Sequence, residues 1–447
     1  MSLNPKIFKT YDVRGQYPEE INEEAAEKIG AAFALWAKES KEIIIGRDAR
    51  LSSPALFMAL AKGINSQGKD VIDIGICANP MLIFAVKTSK NNSCGIMVSA
   101  SHSPGQHNAF KLNNSNGIQM NNEKYAEIKE MAIKGAFENS QSSGRIIQKN
   151  ILKEYESHVL KYADLSINKL KIVVDCGNGV GAVSARPIFD KLGVNAIFLY
   201  ENPDGRFPNH PADPHNVKNM SALREKVVFE KADLGIFFDG DADRGIIIDE
   251  RGEIVFPDFM VALLAPEALK KYPGGKVYYD LRFSKVVKEI IEESGGIPIM
   301  MRVGNPFYKE KMMLDNGALA GEFSGHIFTK EGLGIDDGLF AAIQIMNIMV
   351  QKNKKLSELI APFRKYFATE EINMEVGDVE NALKNVAEKY RDGRSLNLDG
   401  VYIEYPDWWF SLRRSNTEPV VRLRIEANSK DLTEEKKKEI IKLIKNN

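Results

Sequence analysis

Cysteine is scarce in this 447-residue chain: Cys77, Cys94 and Cys176 are the three present, widely spaced and without a C-x-x-C pair. An odd, sparse set excludes a disulfide framework and fits free thiols in a reducing compartment. Neither sign of charge is in excess, since 60 basic side chains against 61 acidic leave a formal net charge of −1. No nucleic-acid partner is therefore expected, and without a polybasic block no membrane surface either. An anion site would have to be built locally. Long apolar runs are missing too: Ala341–Val350 is among the longest, well short of the ~20 residues that span a bilayer. Met1–Arg14 has no apolar stretch of the secretory kind, so a cytoplasmic location is expected. The chain has no G-x-x-x-x-G-K-[ST] and no G-x-S-x-G, which argues against a P-loop kinase and a serine-hydrolase triad.

What is present is the pattern of an ordinary globular protein, 44% hydrophobic and 27% charged. The length suggests about three domains at roughly 150 residues each. Up to about residue 135, apolar runs such as Glu42–Ile45, Val71–Ile74 and Ile96–Val98 alternate with helical patterns such as Pro54–Asn65. That alternation predicts α/β units with mostly parallel strands covered on both faces. Asn139–Gly144 reads as a linker. The theme returns with Lys171–Asp175, Asn195–Tyr200 and Leu234–Phe238, and again with Val277–Asp280 and Ile297–Met301. Beyond about Tyr366, a helix near Val379–Lys389 and strands at Val401–Tyr405, Trp408–Leu412 and Val420–Glu426 predict a smaller α+β domain with an antiparallel sheet. Pro406-Asp407 supplies a turn there.

Four loops carry the chemistry. Ser99-Ala-Ser101-His102-Ser103-Pro104 offers hydroxyls, with His102 beside the middle one and Lys111 close in sequence as an acid or base. A hydroxyl becomes a nucleophile when activated, or when it carries a transferable group. Asp239, Asp241 and Asp243 sit at i, i+2 and i+4, a spacing that turns carboxylates to one side and calls for a cation, Mg²⁺ or Ca²⁺. An EF-hand loop is an alternative, with Glu250 at its twelfth position. Arg244 where that loop wants glycine, and β-like flanks, oppose it. Gly321-Glu322-Phe-Ser324-Gly-His326 offers groups that bind hydroxyls, or is simply a turn. Arg413-Arg-Ser415-Asn416-Thr417 clusters donors for a phosphate, with a basic turn as the plainer reading. Gly177–Gly181 reads as structural.

Taken together with Thr10-Tyr11-Asp12-Val13-Arg14-Gly15, Gly46-Arg47-Asp48 and Asp204-Gly-Arg-Phe-Pro-Asn-His210, these loops and their order resemble the α-D-phosphohexomutase superfamily, that of phosphoglucomutase and phosphomannomutase, from end to end. The resemblance implies three similar mixed-sheet α/β domains, at 1–150, 151–253 and 254–365, and a smaller C-terminal α+β domain at 366–447, around one central cleft. It implies a phosphoserine at Ser101 and Mg²⁺ held by Asp239, Asp241, Asp243 and the seryl oxygen. Arg14 and Arg244 would neutralise phosphoryl charge, with Lys111 and His102 beside the serine for proton transfer. Tyr11, Arg282, Asn305, Glu322, Ser324, His326, Arg413, Ser415, Asn416 and Thr417 would bind substrate. The implied reaction interconverts hexose 1-phosphate and hexose 6-phosphate (mannose and/or glucose) through a hexose 1,6-bisphosphate, in a monomer or homodimer. Asn305 stands where bacterial relatives often carry His, and Arg282 where Lys is common. Phosphoglucosamine mutase and a non-catalytic Ca²⁺-binding α/β protein are the alternatives.

Overall fold

The computed structural model describes residues 3–414 and 420–445. Its first sheet has six strands, in the order Val13–Gln16, His107–Asn113, Cys94–Val98, Glu42–Arg47, Asp70–Ile76 and Ile146–Gln148. Ile43, Ile45, Ile96 and Val98 are buried on one face and Ile44 and Met97 on the other, as strands covered on both faces require. The second sheet has five strands, Ile254–Val255, Gly245–Asp249, Leu234–Phe238, Lys171–Asp175 and Asn195–Leu199. The third has four, Ile297–Met301, Lys276–Asp280, Leu319–Gly321 and Ile327–Thr329.

One arrangement recurs in all three sheets. Cys94–Val98 is parallel to Glu42–Arg47 on one side and antiparallel to His107–Asn113 on the other. Leu234–Phe238 is parallel to Lys171–Asp175 and antiparallel to Gly245–Asp249. Leu319–Gly321 is parallel to Lys276–Asp280 and antiparallel to Ile327–Thr329. The serine, aspartate and glutamate loops are therefore hairpin connections. The alternation of strands and helices pointed to mostly parallel sheets; the returning strand makes each one mixed. The loops are too short for a parallel crossover, which takes about a dozen residues or more.

The fourth domain is an antiparallel sheet in the order Phe367–Ala368, Val420–Ala427, Trp408–Arg414, Val401–Glu404 and Arg394–Leu396, with Ile372–Glu375 also paired to Val420–Ala427. Helices Val379–Lys389 and Lys430–Lys445 lay Val386, Ile440 and Ile444 against Phe410, Leu412 and Leu423.

The domains are joined in different ways. Ile44 and Met97 of the first sheet, Val174 and Ile236 of the second, and Val277 and Leu319 of the third share one buried cluster. The fourth domain has a core of its own and meets the third through a small patch of Leu281, Tyr402 and Trp409. The stretch 139–144, linker-like in sequence, carries no helix or strand and folds back on the first domain: Ser140 N donates to Ser66 O at 2.8 Å and Gly144 N to Asn65 O at 2.9 Å. No helix among the described residues is long and apolar enough to cross a membrane.

Candidate active site

Ser101 lies in the first hairpin turn with a left-handed backbone, φ 51°, a conformation that costs a non-glycine residue roughly 1–3 kcal/mol and persists only where the surroundings impose it. Arg50 imposes it. Its guanidinium donates to four carbonyl oxygens of this loop: Ser101 at 2.8 Å, Ser103 at 2.7 Å, Pro104 at 2.6 Å and His107 at 2.9 Å. Asp48 accepts from Arg50 Nε at 2.9 Å. Phe207, from the Asp204–His210 stretch, places its ring 5.1 Å from the guanidinium carbon. Arg14 donates to Ser103 Oγ at 2.7 Å and is anchored by Asp12 at 2.6 Å. The Ser101 hydroxyl thus points across to the second domain and donates to Asp239 Oδ2 at 2.7 Å, with His102 Nδ1 3.2 Å away. Burial, then the Arg244 charge, holds His102 well below its usual range, so its ring is neutral.

The aspartate loop meets that hydroxyl from below. A Cβ at Gly240 would overlap the carbonyl oxygen of Ser101, so only glycine lets the loops approach this closely. Val180 N also donates to Gly240 O at 3.1 Å, which gives Gly177–Gly181 its structural part. The loop turns through Ala242 at φ 57°. Asp239, Asp241 and Asp243, all buried, bring oxygens within 4.8 Å of one another. An EF-hand is excluded: the flanks Leu234–Phe238 and Gly245–Asp249 are paired strands. The Glu250 carboxylate turns away to accept from Ser357 N at 3.2 Å and Ser357 Oγ at 2.5 Å.

Burial, then repulsion from its neighbours, pushes the Asp239 carboxyl well above the usual carboxylate range, and Asp241 is raised for the same reasons. Asp243 is buried as well, yet Lys111, His326 and Arg244 hold it below that range. Lys111 extends from the returning strand of the serine hairpin, and its ammonium lies 2.6 Å from Asp241 Oδ2 and 2.7 Å from Asp243 Oδ2. Burial disfavours that charge, but the aspartates outweigh burial and raise it. Asn79 Nδ2 donates to Asp243 Oδ2 at 3.0 Å. Asp241 Oδ1 and Asp243 Oδ1 are buried without a hydrogen-bond donor. Converging carboxylates with orphaned oxygens fit a divalent cation, whose charge would relieve their repulsion.

The third hairpin completes the cationic side. Arg244 Nε donates to His326 Nε2 at 3.0 Å, and the other ring nitrogen, Nδ1, faces Asp336 Oδ2 at 3.3 Å. Lys309 neutralises Asp336 at 2.8 Å, and the Asn305 amide also donates to Asp336. His326 and Asn305, expected among the substrate contacts, thus sit beneath Arg244 in a buried network. Arg244 Nη1 and Ser324 Oγ are buried without partners and so remain available to a ligand. Glu322 accepts from Gly304 N at 3.0 Å. Gly304, at φ 133°, has no room for a Cβ beside the Tyr11 hydroxyl, which donates to Val303 O at 3.2 Å. Burial, then Glu322, pushes the Tyr11 phenol up to about 12.

Arg282 is held by Asp280 at 2.8 and 2.6 Å, and Asp280 also accepts from Phe323 N at 3.0 Å. Its remaining nitrogen reaches Glu371 Oε1 at 3.3 Å, which also accepts from Arg413 Nη2 at 2.9 Å, with Arg422 3.7 Å from the other oxygen. Burial opposes the Glu371 charge, yet Arg282 and Arg413 hold the carboxyl down to about 2. Ser415, Asn416 and Thr417 lie outside the described residues. The structure therefore brings Ser101, His102, Lys111, the aspartates, Arg244 and His326 into direct contact, and joins Arg282 to Arg413 through Glu371. Arg50 and Glu371 were not singled out in the sequence. An Asp48-x-Arg50 pair beside a Gly46-Arg-Asp turn is the one local signal for the first; nothing local marks the second.

Hairpin turns from three α/β domains converging on one buried acidic cluster, with arginines of a fourth domain joined to the third through Glu371, define an α-D-phosphohexomutase architecture. Family models agree: those described as phosphoglucomutase/phosphomannomutase alpha/beta/alpha domains I, II and III match residues 5–139, 152–252 and 256–366, and the C-terminal domain matches 346–443. The chain belongs to the phosphoglucomutase/phosphomannomutase family. It is 37% identical to a phosphomannomutase/phosphoglucomutase of Pseudomonas syringae pv. tomato, over 96% of this chain and 92% of that one. It is 35% identical to a phosphomannomutase of Methanocaldococcus jannaschii, over 98% and 97%. A solved structure of a phosphoglucomutase/phosphomannomutase family protein from Burkholderia thailandensis superposes with a TM-score of 0.92 at 31% identity, covering 99% of this chain and 98% of that one.

Proposed function

We propose that this chain is an intramolecular phosphotransferase that interconverts the 1- and 6-phosphates of mannose and/or glucose through a phosphoserine at Ser101 and a hexose 1,6-bisphosphate. The observation that carries this reading is the Ser101 hydroxyl on Asp239 at 2.7 Å, inside a buried acidic cluster faced by Lys111 and Arg244. Phosphoryl transfer rests on positioning and on charge stabilisation, and these residues are arranged for both.

Asp239, Asp241 and Asp243 would hold Mg²⁺, with the seryl oxygen as a further ligand; when bound, it offsets charge on the phosphoryl oxygens. Asp239 takes the seryl proton when Ser101 is the acceptor. Lys111 and the neutral His102 are the proton carriers nearest the sugar oxygen that gives or receives the group. Arg14 and Arg244 face the phosphoryl oxygens, and the orphaned Arg244 Nη1 supplies a donor there. Glu322 and Ser324 bind sugar hydroxyls, with Tyr11, Asn305 and His326 shaping that side. Arg282, Arg413, Ser415, Asn416 and Thr417 hold the phosphate that is not reacting. One fixed grip of this kind serves both orientations of the bisphosphate. A cytoplasmic location suits phosphosugar substrates.

Coupled assays with mannose, glucose and glucosamine 1-phosphates test the reading. Turnover of mannose and/or glucose 1-phosphate, lost in Ser101→Ala while the variant keeps its fold, is expected. Turnover of glucosamine 1-phosphate alone, or phosphate mapped only to Ser99 or Ser103, would overturn it.

A further inference from the structure

A second group of ligating side chains lies beside the nucleophile, outside the acidic cluster. His102 on the serine hairpin, and Asp213 and His215 on the second domain's segment leading to the short turn Val217–Met220, bring ligand atoms within 4.8 Å of one another. The two imidazoles are 5.2 Å apart between ring centres. His215 N donates to Asp213 Oδ1 at 3.1 Å, and His215 Nδ1 lies 2.8 Å from the same oxygen. Asn219 Nδ2 steadies the turn by donating to Asp213 O at 2.8 Å. The His215 side chain is 46% exposed, so the group opens to solvent.

We propose that His102, Asp213 and His215 form a second cation site, for a borderline transition-metal dication such as Zn²⁺, bridging the serine loop and the second domain. Two ring nitrogens and one carboxylate are the donor set such ions take, whereas Mg²⁺ and Ca²⁺ take oxygen. Ligands at ~2.0–2.2 Å from a zinc ion lie within about 4 Å of each other, so modest side-chain rotation suffices. The charges facing His102 are mainly positive: Arg244, Arg14 and Lys111. A dication is therefore held here by ligand chemistry and not by local field, which sharpens selection against Mg²⁺. An ion at this site takes up a His102 ring nitrogen, removing the ring as a proton carrier, and ties the serine hairpin to residues 213–215. Bound metal should therefore inhibit. The inhibition rests on the mutase reading; the binding does not.

Zinc titrated calorimetrically into the full-length protein at saturating Mg²⁺ tests this. Wild type should bind one Zn²⁺ that further Mg²⁺ does not displace, and Co²⁺ in its place should give visible ligand-field bands of nitrogen coordination. His215→Gln should weaken that binding at least ~100-fold, at or above the upper end of what losing an outer-shell partner costs, and should keep its Mg²⁺-supported turnover while losing Zn²⁺ inhibition at saturating Mg²⁺. Asp213→Asn provides a second variant with the same expected loss of binding. Zinc fully displaced by Mg²⁺ in wild type, or unchanged binding in both variants, would overturn the site. Absence of turnover with every hexose phosphate would instead count against the mutase reading and leave the calorimetric result standing.

Discussion

Arg50 Nη2 donates to the carbonyl oxygen of Ser101 at 2.8 Å, so the backbone of the proposed nucleophile is fixed by a guanidinium that never faces substrate. Lysine keeps the charge but not the planar fork. Arg50→Lys should therefore lower kcat by up to ~100-fold through misplacement of the hydroxyl, with KM little changed. Steady-state kinetics beside a thermal melt would separate this from unfolding. A KM rise with unchanged kcat would count against a positioning role.

The orphaned oxygens of Asp241 and Asp243 predict a strict need for a divalent cation. Chelation should abolish turnover and Mg²⁺ should restore it. Asp241→Asn should cost at least ~100-fold in kcat, the usual cost of losing one principal electrostatic group. Full activity in that variant would remove the acidic cluster from the chemistry.

Arg413 touches no transferring group in this reading, so its loss should weaken binding more than chemistry. A charge-assisted hydrogen bond contributes about 1.5–3 kcal/mol, which corresponds to a KM rise of roughly 10- to 100-fold in Arg413→Ala. The variant should also release more bisphosphate, with partial rescue by added glucose 1,6-bisphosphate. An unchanged KM together with loss of serine phosphorylation would place Arg413 in the catalytic frame instead.

Glu371 predicts an acid limb. Its carboxyl is held down to about 2 in the folded chain, below the ~4.3 of an unfolded glutamate. The stabilisation is present above the unfolded value and is lost as pH falls through the folded one. Denaturant melts between pH 5 and about 2 should show stability declining in wild type. In Glu371→Gln that contribution to the decline should be absent. Identical slopes in the two proteins would mean that the arginine cluster does not depend on the carboxylate.

Sequence and structure agree best where chemistry is concentrated in a few adjacent positions. Ser101 and Asp239 to Arg244, which the structure brings into contact, were marked because each loop states its donor set within six residues; His326 was marked too, but it packs beneath Arg244. The helix Val379–Lys389 was readable from periodicity alone. Arg50 escaped because its partners are backbone carbonyls, which look alike in any sequence. Glu371 and Lys309 escaped because their partners, Arg413 and Asp336, lie far along the chain. The direction of the return strands is not legible in a buried run, which looks the same either way; the mixed sheets followed from the family resemblance instead. The stretch 139–144 carries no helix or strand, as its composition suggested, but its backbone bonds to Asn65 and Ser66 are not legible in sequence.

The unequal joining of the domains has a mechanical consequence. Cation cage and nucleophile sit on bodies that share one apolar core and meet at Gly240, so they can part only by opening buried surface. The arginines of the last domain sit on a body with its own core, fastened to the rest by one small apolar patch and by ion pairs such as Arg282 to Glu371 and Arg424 to Asp258. Water and phosphate can both compete for such contacts, whereas neither competes for an apolar core. In the proposed cycle, the firmly packed seam is the one the phosphoryl group would cross, and the lightly fastened one is where the sugar would turn around.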